Sequence, residues 1–169
     1  MPADWSRPID VERLADAGES REIDASLSSL PRLAPLLAAD DGKVHAAIRF
    51  DRERGQPVAE VAVEARVPLR CQRCLRPVWF GVSERSKVWL VTDPARADEL
   101  DPGIEPTLAP EGRIALRDLA EEELLLALPL VPRHERGEEC GTVEEAAPQS
   151  EAVQKPFAGL GELLKRGSK

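Results

Sequence analysis

The chain has 169 residues, 42% of them hydrophobic and only 4% aromatic with no tyrosine, so a modest core must be built from Leu, Val, Ile and Ala. A formal net charge of -8 excludes bulk attraction to nucleic acid or anionic lipid and leaves any such contact to a local basic patch. The longest apolar run, 124–131, is too short to span a bilayer.

Asp4, Arg7, Asp10, Glu12 and Arg13 interrupt the first residues, so no secretory signal is expected, and three cysteines then point to a reducing, cytoplasmic setting. Asp10 is placed to N-cap a short helix through Val11, Leu14 and Ala15, with Gly18 as its stop. Ile23, Ala25 and Leu27 alternate with polar residues as in a strand. Leu33, Leu36 and Leu37 have helical spacing, but Pro35 confines any helix there to its first turn.

The clearest period follows. Val44, Ala46, Ile48 and Phe50 alternate with Lys43, His45, Ala47 and Arg49. After a turn at 54–57, Val61, Val63, Ala65, Val67 and Leu69 do the same. This predicts an antiparallel hairpin with one buried face. Val78, Phe80 and Val82 resume the alternation beyond a Cys-x-x-Cys turn, and Lys87 to Val91 continue it. A bulge near Ser83 would absorb an apparent slip of phase. On that phase Phe80 belongs to the core and Trp79 to the surface.

From Thr92 to Gly112 six acids and four prolines face Arg96 alone, which reads as an acidic loop. Asp118 and Glu121 have capping-box spacing for a helix that turns Leu119, Ala120, Glu123, Leu124, Ala127 and Leu128 to the core and Glu121 and Glu122 away from it. Pro129 and Pro132 end that helix. Residues 135–155 are Glu-rich and read as a flexible linker. Phe157, Leu160, Leu163 and Leu164 then recur at helical spacing ahead of Lys165, Arg166 and Lys169, as in a docking segment that could equally pack back on its own domain.

The fold expected is α+β: a curved antiparallel meander, open or barrel-like, covered by one main helix. Residues 1–134 form its single domain, followed by the acidic linker 135–155 and the amphipathic segment 156–169.

Two constellations could carry chemistry. Cys71 and Cys74 have the spacing of two thiolate ligands on one turn, and His134 and Cys140 are the other ligands of the usual type, giving one structural zinc in a Cys3His set. The competing reading is reduced thiols on a turn and a tail. A thioredoxin-like redox role is disfavoured, because Arg76-Pro77 and a strand follow the pair where that chemistry needs a helix N-terminus. No Gly-rich phosphate loop occurs, and neither His45 nor His134 has a nucleophile partner legible in the sequence.

The second constellation is electrostatic. From Arg66 to Lys87 there are six cations against Glu84 alone. Arg70, Arg73, Arg76 and the outward Trp79 supply phosphate-pairing forks and a stacking ring, a workable kit for RNA. The alternative is a solvated hairpin end whose cations pair with the acidic loop.

Three motifs in order carry a family resemblance: Leu69-Arg70-Cys71-Gln72-Arg73-Cys74; the run from Leu116 to His134 with Cys140 behind it; and Gln154-Lys155-Pro156-Phe157-Ala158. Together, over about residues 20–166, the chain resembles the YceD family, the large ribosomal RNA subunit accumulation proteins. The resemblance implies a bacterial cytoplasmic, non-enzymatic factor needed for synthesis, processing or stability of 23S ribosomal RNA. The partners it implies are that RNA or the pre-large-subunit particle, with no membrane. The acidity suggests a second reading, an adaptor that holds a basic ribosomal protein or a ribonuclease without touching RNA. Some relatives carry a richer cysteine cluster after the helix, where this chain has only His134 and Cys140.

Overall fold

A computed structural model describes residues 5–97, 100, 104, 106–135 and 140; the remainder of the linker 135–155 and the segment 156–169 lie outside the described residues. In order, the elements are β1 (Ile9–Asp10), α1 (Val11–Ala17), β2 (Ser20–Ser26), β3 (Lys43–Glu53), β4 (Gln56–Arg70), β5 (Pro77–Val91), α2 (Pro94–Ala97), β6 (Pro106–Leu108), β7 (Arg113–Ile114) and α3 (Leu116–Ala127). The architecture is α+β, built on a curled, half-barrel sheet of order β2-β3-β4-β5-β6.

The alternating runs become long strands because every second residue meets the core. Val44, Ala46, Ile48 and Phe50 are all buried, as are Val61, Val63, Val67 and Leu69. Arg54 and Gly55 both have positive φ, 50 and 81, and close β3 onto β4 in a two-residue turn tighter than 54–57.

β4 and β5 pair without interruption from Val58↔Trp89 to Arg70↔Pro77, so the strand has no bulge at Ser83. The even-numbered residues of β5 keep one phase along the whole ladder. Glu84 and Ser86 stand at inward positions opposite Val63 and Val61, and their polarity is what mimics a slip. Phe80 shares that inward phase yet is 36% exposed, contrary to its expected place in the core. Beyond the buried Val82 the cover over this face thins: Val78 is only half-buried and Phe80 is exposed.

Two further expectations need correction. β6 runs parallel to β5, so the sheet is mixed; the chain crosses over through α2 instead of forming another hairpin. The cover is also shared. α1, capped by Asp10 and stopped by Gly18 in the left-handed conformation, buries Val11, Leu14 and Ala15 beside α3.

α3 starts two residues before Asp118, with Ala115 at its N-cap and no side-chain cap. Glu121 is therefore not part of a capping box. It is 1% exposed, and one carboxylate oxygen accepts the backbone N–H of Arg32 at 2.7 Å and of Leu33 at 3.0 Å. Glu122 beside it pairs with the Arg32 guanidinium. A few residues on, Leu37 bridges Leu69 and the Ala38 N–H reaches the Pro68 carbonyl at 2.8 Å. The 27–38 segment thus clasps α3 to the end of β4 that carries the cysteines. No helix among the described residues is long and apolar enough to cross a membrane.

Glu121→Ala leaves two backbone N–H groups without their acceptor and is expected to cost about 2–3 kcal/mol. Glu121→Gln, which keeps an acceptor oxygen, should cost less. Urea unfolding midpoints of the two variants check this, and equal losses would contradict it.

Candidate metal centre

The turn between β4 and β5 is closed by its own backbone. The Cys71 N–H reaches the Arg76 carbonyl at 3.0 Å and the Leu75 N–H reaches the Cys71 carbonyl at 2.9 Å. Leu75 takes φ 59, a left-handed conformation that costs a non-glycine residue about 1–2 kcal/mol and lets the chain double back in six residues. Both sulfurs then face inward, with Cys71 and Cys74 buried.

The other half arrives from α3. Past Pro129 the chain turns so that the Gln72 N–H reaches the Pro132 carbonyl at 2.8 Å. His134 sets its Nε2 3.1 Å from the Pro77 carbonyl and its Nδ1 3.5 Å from the Cys74 sulfur. A carbonyl only accepts, so Nε2 donates to it and Nδ1 is the ring atom turned to the thiols, the one a metal would take once it is deprotonated. Cys140 places its sulfur 3.7 Å from that of Cys71. The four ligand atoms of Cys71, Cys74, His134 and Cys140 lie within 4.8 Å of one another.

Those spacings can be tested against a tetrahedron. Zinc–sulfur bonds of about 2.3 Å and zinc–nitrogen bonds of about 2.0–2.1 Å give tetrahedral edges of about 3.8 Å between sulfurs and about 3.6 Å between sulfur and nitrogen. The 3.7 Å and 3.5 Å separations match both edges. The donor set fits a closed, structural zinc site.

A family model described as large ribosomal RNA subunit accumulation protein YceD matches residues 59–164, more than half of the chain. The chain belongs to the YceD family. The match begins inside β4 and takes in β5, α3 and all four ligand candidates of this YceD chain, while β2, β3 and α1 lie before it. No solved structure matches.

The electrostatics of the centre favour ionised sulfur. Burial pushes the Cys71 thiol up, but the backbone N–H groups of Cys74, Arg73 and His134 and the imidazole outweigh it and bring the thiol down to about 5. Cys74 is also lowered: burial opposes ionisation, and hydrogen bonds from the Arg76 backbone N–H, Cys140 and the Arg76 side chain overcome it. His134 is raised, chiefly by the Cys71 sulfur. Cys140 alone among the thiols is raised, by burial, although the Arg73 Nε lies 2.8 Å from its sulfur.

The remaining tip residues spread outward. Arg66, Arg70 and Arg76 are exposed, and Trp79, 43% exposed, takes the Arg66 guanidinium over its ring at 5.2 Å. The sequence reading left Arg66 out of this group. Its signal was the β4–β5 register, which sets Arg66 and Pro68 opposite Gly81 and Trp79 on one face.

A thiol depressed on folding adds stability that is full above its unfolded value and is lost as pH falls through its folded value. In metal-free protein the ultraviolet absorbance of one thiolate is therefore expected to persist below neutrality and disappear as pH passes through about 5. Cys71→Ser should remove that component, and an unchanged titration in the variant would contradict the assignment.

Proposed function

We propose that this chain serves large-subunit ribosomal RNA accumulation as a non-enzymatic binding factor in the cytoplasm, with the β4–β5 tip as its contact surface. Family membership gives the role in accumulation; the mode of contact is our reading. The observation that carries it is a basic, aromatic tip on an acidic chain: Arg66 lies over the exposed Trp79 and Arg70 and Arg76 are exposed at the same turn, while the chain as a whole has a net charge of -8. Arginine forks pair with phosphates and the indole offers a face on which a base can stack.

In this reading a single Zn2+ held by Cys71, Cys74, His134 and Cys140 fixes the tip. A closed ligand set leaves no open position for a reacting water, so the metal would be a staple and not a catalyst. The 135–155 stretch serves as an acidic tether, and 156–169 as a segment that docks the factor to its particle or to its own domain.

A protein adaptor is the second reading. Leu126, Leu130 and Val131 stay exposed at the end of α3, next to a net acidic chain suited to a basic ribosomal protein or a ribonuclease.

Gel-shift titration with 23S ribosomal RNA fragments separates the two. Trp79→Ala is expected to weaken binding by about 1–3 kcal/mol, and Arg70→Ala with Arg76→Ala should weaken it further and flatten the salt dependence. Equal binding by wild type and the triple variant would sink the RNA reading. A partner that co-purifies after ribonuclease treatment would then favour the adaptor. Protein purified without added metal is expected to carry one zinc per chain; folded protein with a ratio near zero would remove the metal.

A further inference from the structure

The arginines of the tip are not equivalent. Arg70 borders the turn, whereas two others meet its sulfurs: the Arg76 side chain bonds Cys74, and Arg73, inside the turn, sets its Nε 2.8 Å from the Cys140 sulfur. We infer that Arg73 is a positioning residue of the metal centre, whose guanidinium holds Cys140 in the ligand set, and that it belongs to this centre more than to the RNA-contacting surface. The inference rests on the zinc reading proposed above.

Three thiolates and a neutral imidazole around Zn2+ leave one net negative charge, and in a partly buried site a cation in contact offsets it. Arg73 supplies that cation at hydrogen-bond distance, and the always-charged planar guanidinium suits the role better than an ammonium.

The ligands also differ in how they are held. Cys71 and Cys74 share one turn and receive backbone N–H groups from Cys74, Arg73, Arg76 and His134, with the Arg76 side chain also on Cys74. His134 is oriented by the Pro77 carbonyl. Cys140 lies six residues beyond His134, and a side chain, that of Arg73, meets its sulfur. Without Arg73, Cys140 becomes the ligand that leaves first.

The test uses the full chain loaded with zinc. Zinc release to a chromogenic chelator is followed at neutral pH, with iodoacetamide labelling of Cys140 read by mass spectrometry and 23S fragment binding by titration. Arg73→Gln is expected to release zinc about tenfold faster or more, with Cys140 labelled before Cys71 and Cys74. Arg73→Lys, which keeps a charge, should fall between it and wild type and serves as the variant that retains the fold. Arg70→Gln should weaken RNA binding and leave zinc release unchanged.

Zinc-loaded Arg73→Gln that releases metal at the wild-type rate, with Cys140 equally protected, overturns the inference while the zinc reading stands. Wild type that takes up no zinc overturns both. The two failures are distinguishable in one experiment.

Discussion

The unbroken pairing of β4 with β5 is the constraint on which the rest of the molecule depends. From Val58↔Trp89 to Arg70↔Pro77 each step of the ladder fixes the next, because a slip of one residue would turn Val61, Val63 and Val67 to solvent. One end of this ladder packs Val88 and Leu90 into the core under α3. At the other end the chain must reverse, and that reversal carries Cys71 and Cys74. The cysteine turn is therefore rigid at its base because the sheet beneath it has a single register.

A turn at the end of a ribbon supplies only two ligands, and α3 brings the rest. The buried Glu121 carboxylate clasps Arg32 and Leu33, and the same segment bridges to Leu69 through Leu37, so helix and ribbon are tied side by side close to the tip. The chain leaving α3 then has a short path to Gln72 and Pro77, where His134 docks. Glu121 can be buried because the N–H groups of Arg32 and Leu33 donate to its carboxyl oxygen and would otherwise be left without partners in the interior. A structural metal would add one more cross-link between the same two elements, with folding free energy of its own.

The tip shows how an acidic protein can present a basic face. Net charge sets solubility and long-range attraction, but the Debye length at physiological salt is only about 8 Å, so contact is decided by the nearest residues. Arg66 lies on Trp79, Arg70 and Arg76 border the turn, and the acidic stretch between β5 and β7 follows the opposite end of the ribbon. Arg73 shows the limit of counting charges: its guanidinium faces sulfur, and spacing alone could not separate it from its neighbours.

Local rules written in the residues explain much of this. Alternation in 44–50 and 61–69 specified two strands and their buried face, Asp10 and Gly18 bounded α1, and the prolines after Ala127 ended α3. The Cys71, Cys74, His134 and Cys140 grouping was legible because few residue types bind zinc and this chain has little choice among them. Tertiary structure alone decided that Phe80 stays exposed, since burial depends on how far the cover over the inner face reaches along β5. It alone turned Glu121 inward, because the N–H groups that donate to its carboxyl oxygen come from a segment 88 residues earlier. It alone brought the ligand atoms of four separated residues within 4.8 Å of one another. A sequence specifies what each residue can bond to; only the fold brings the partner.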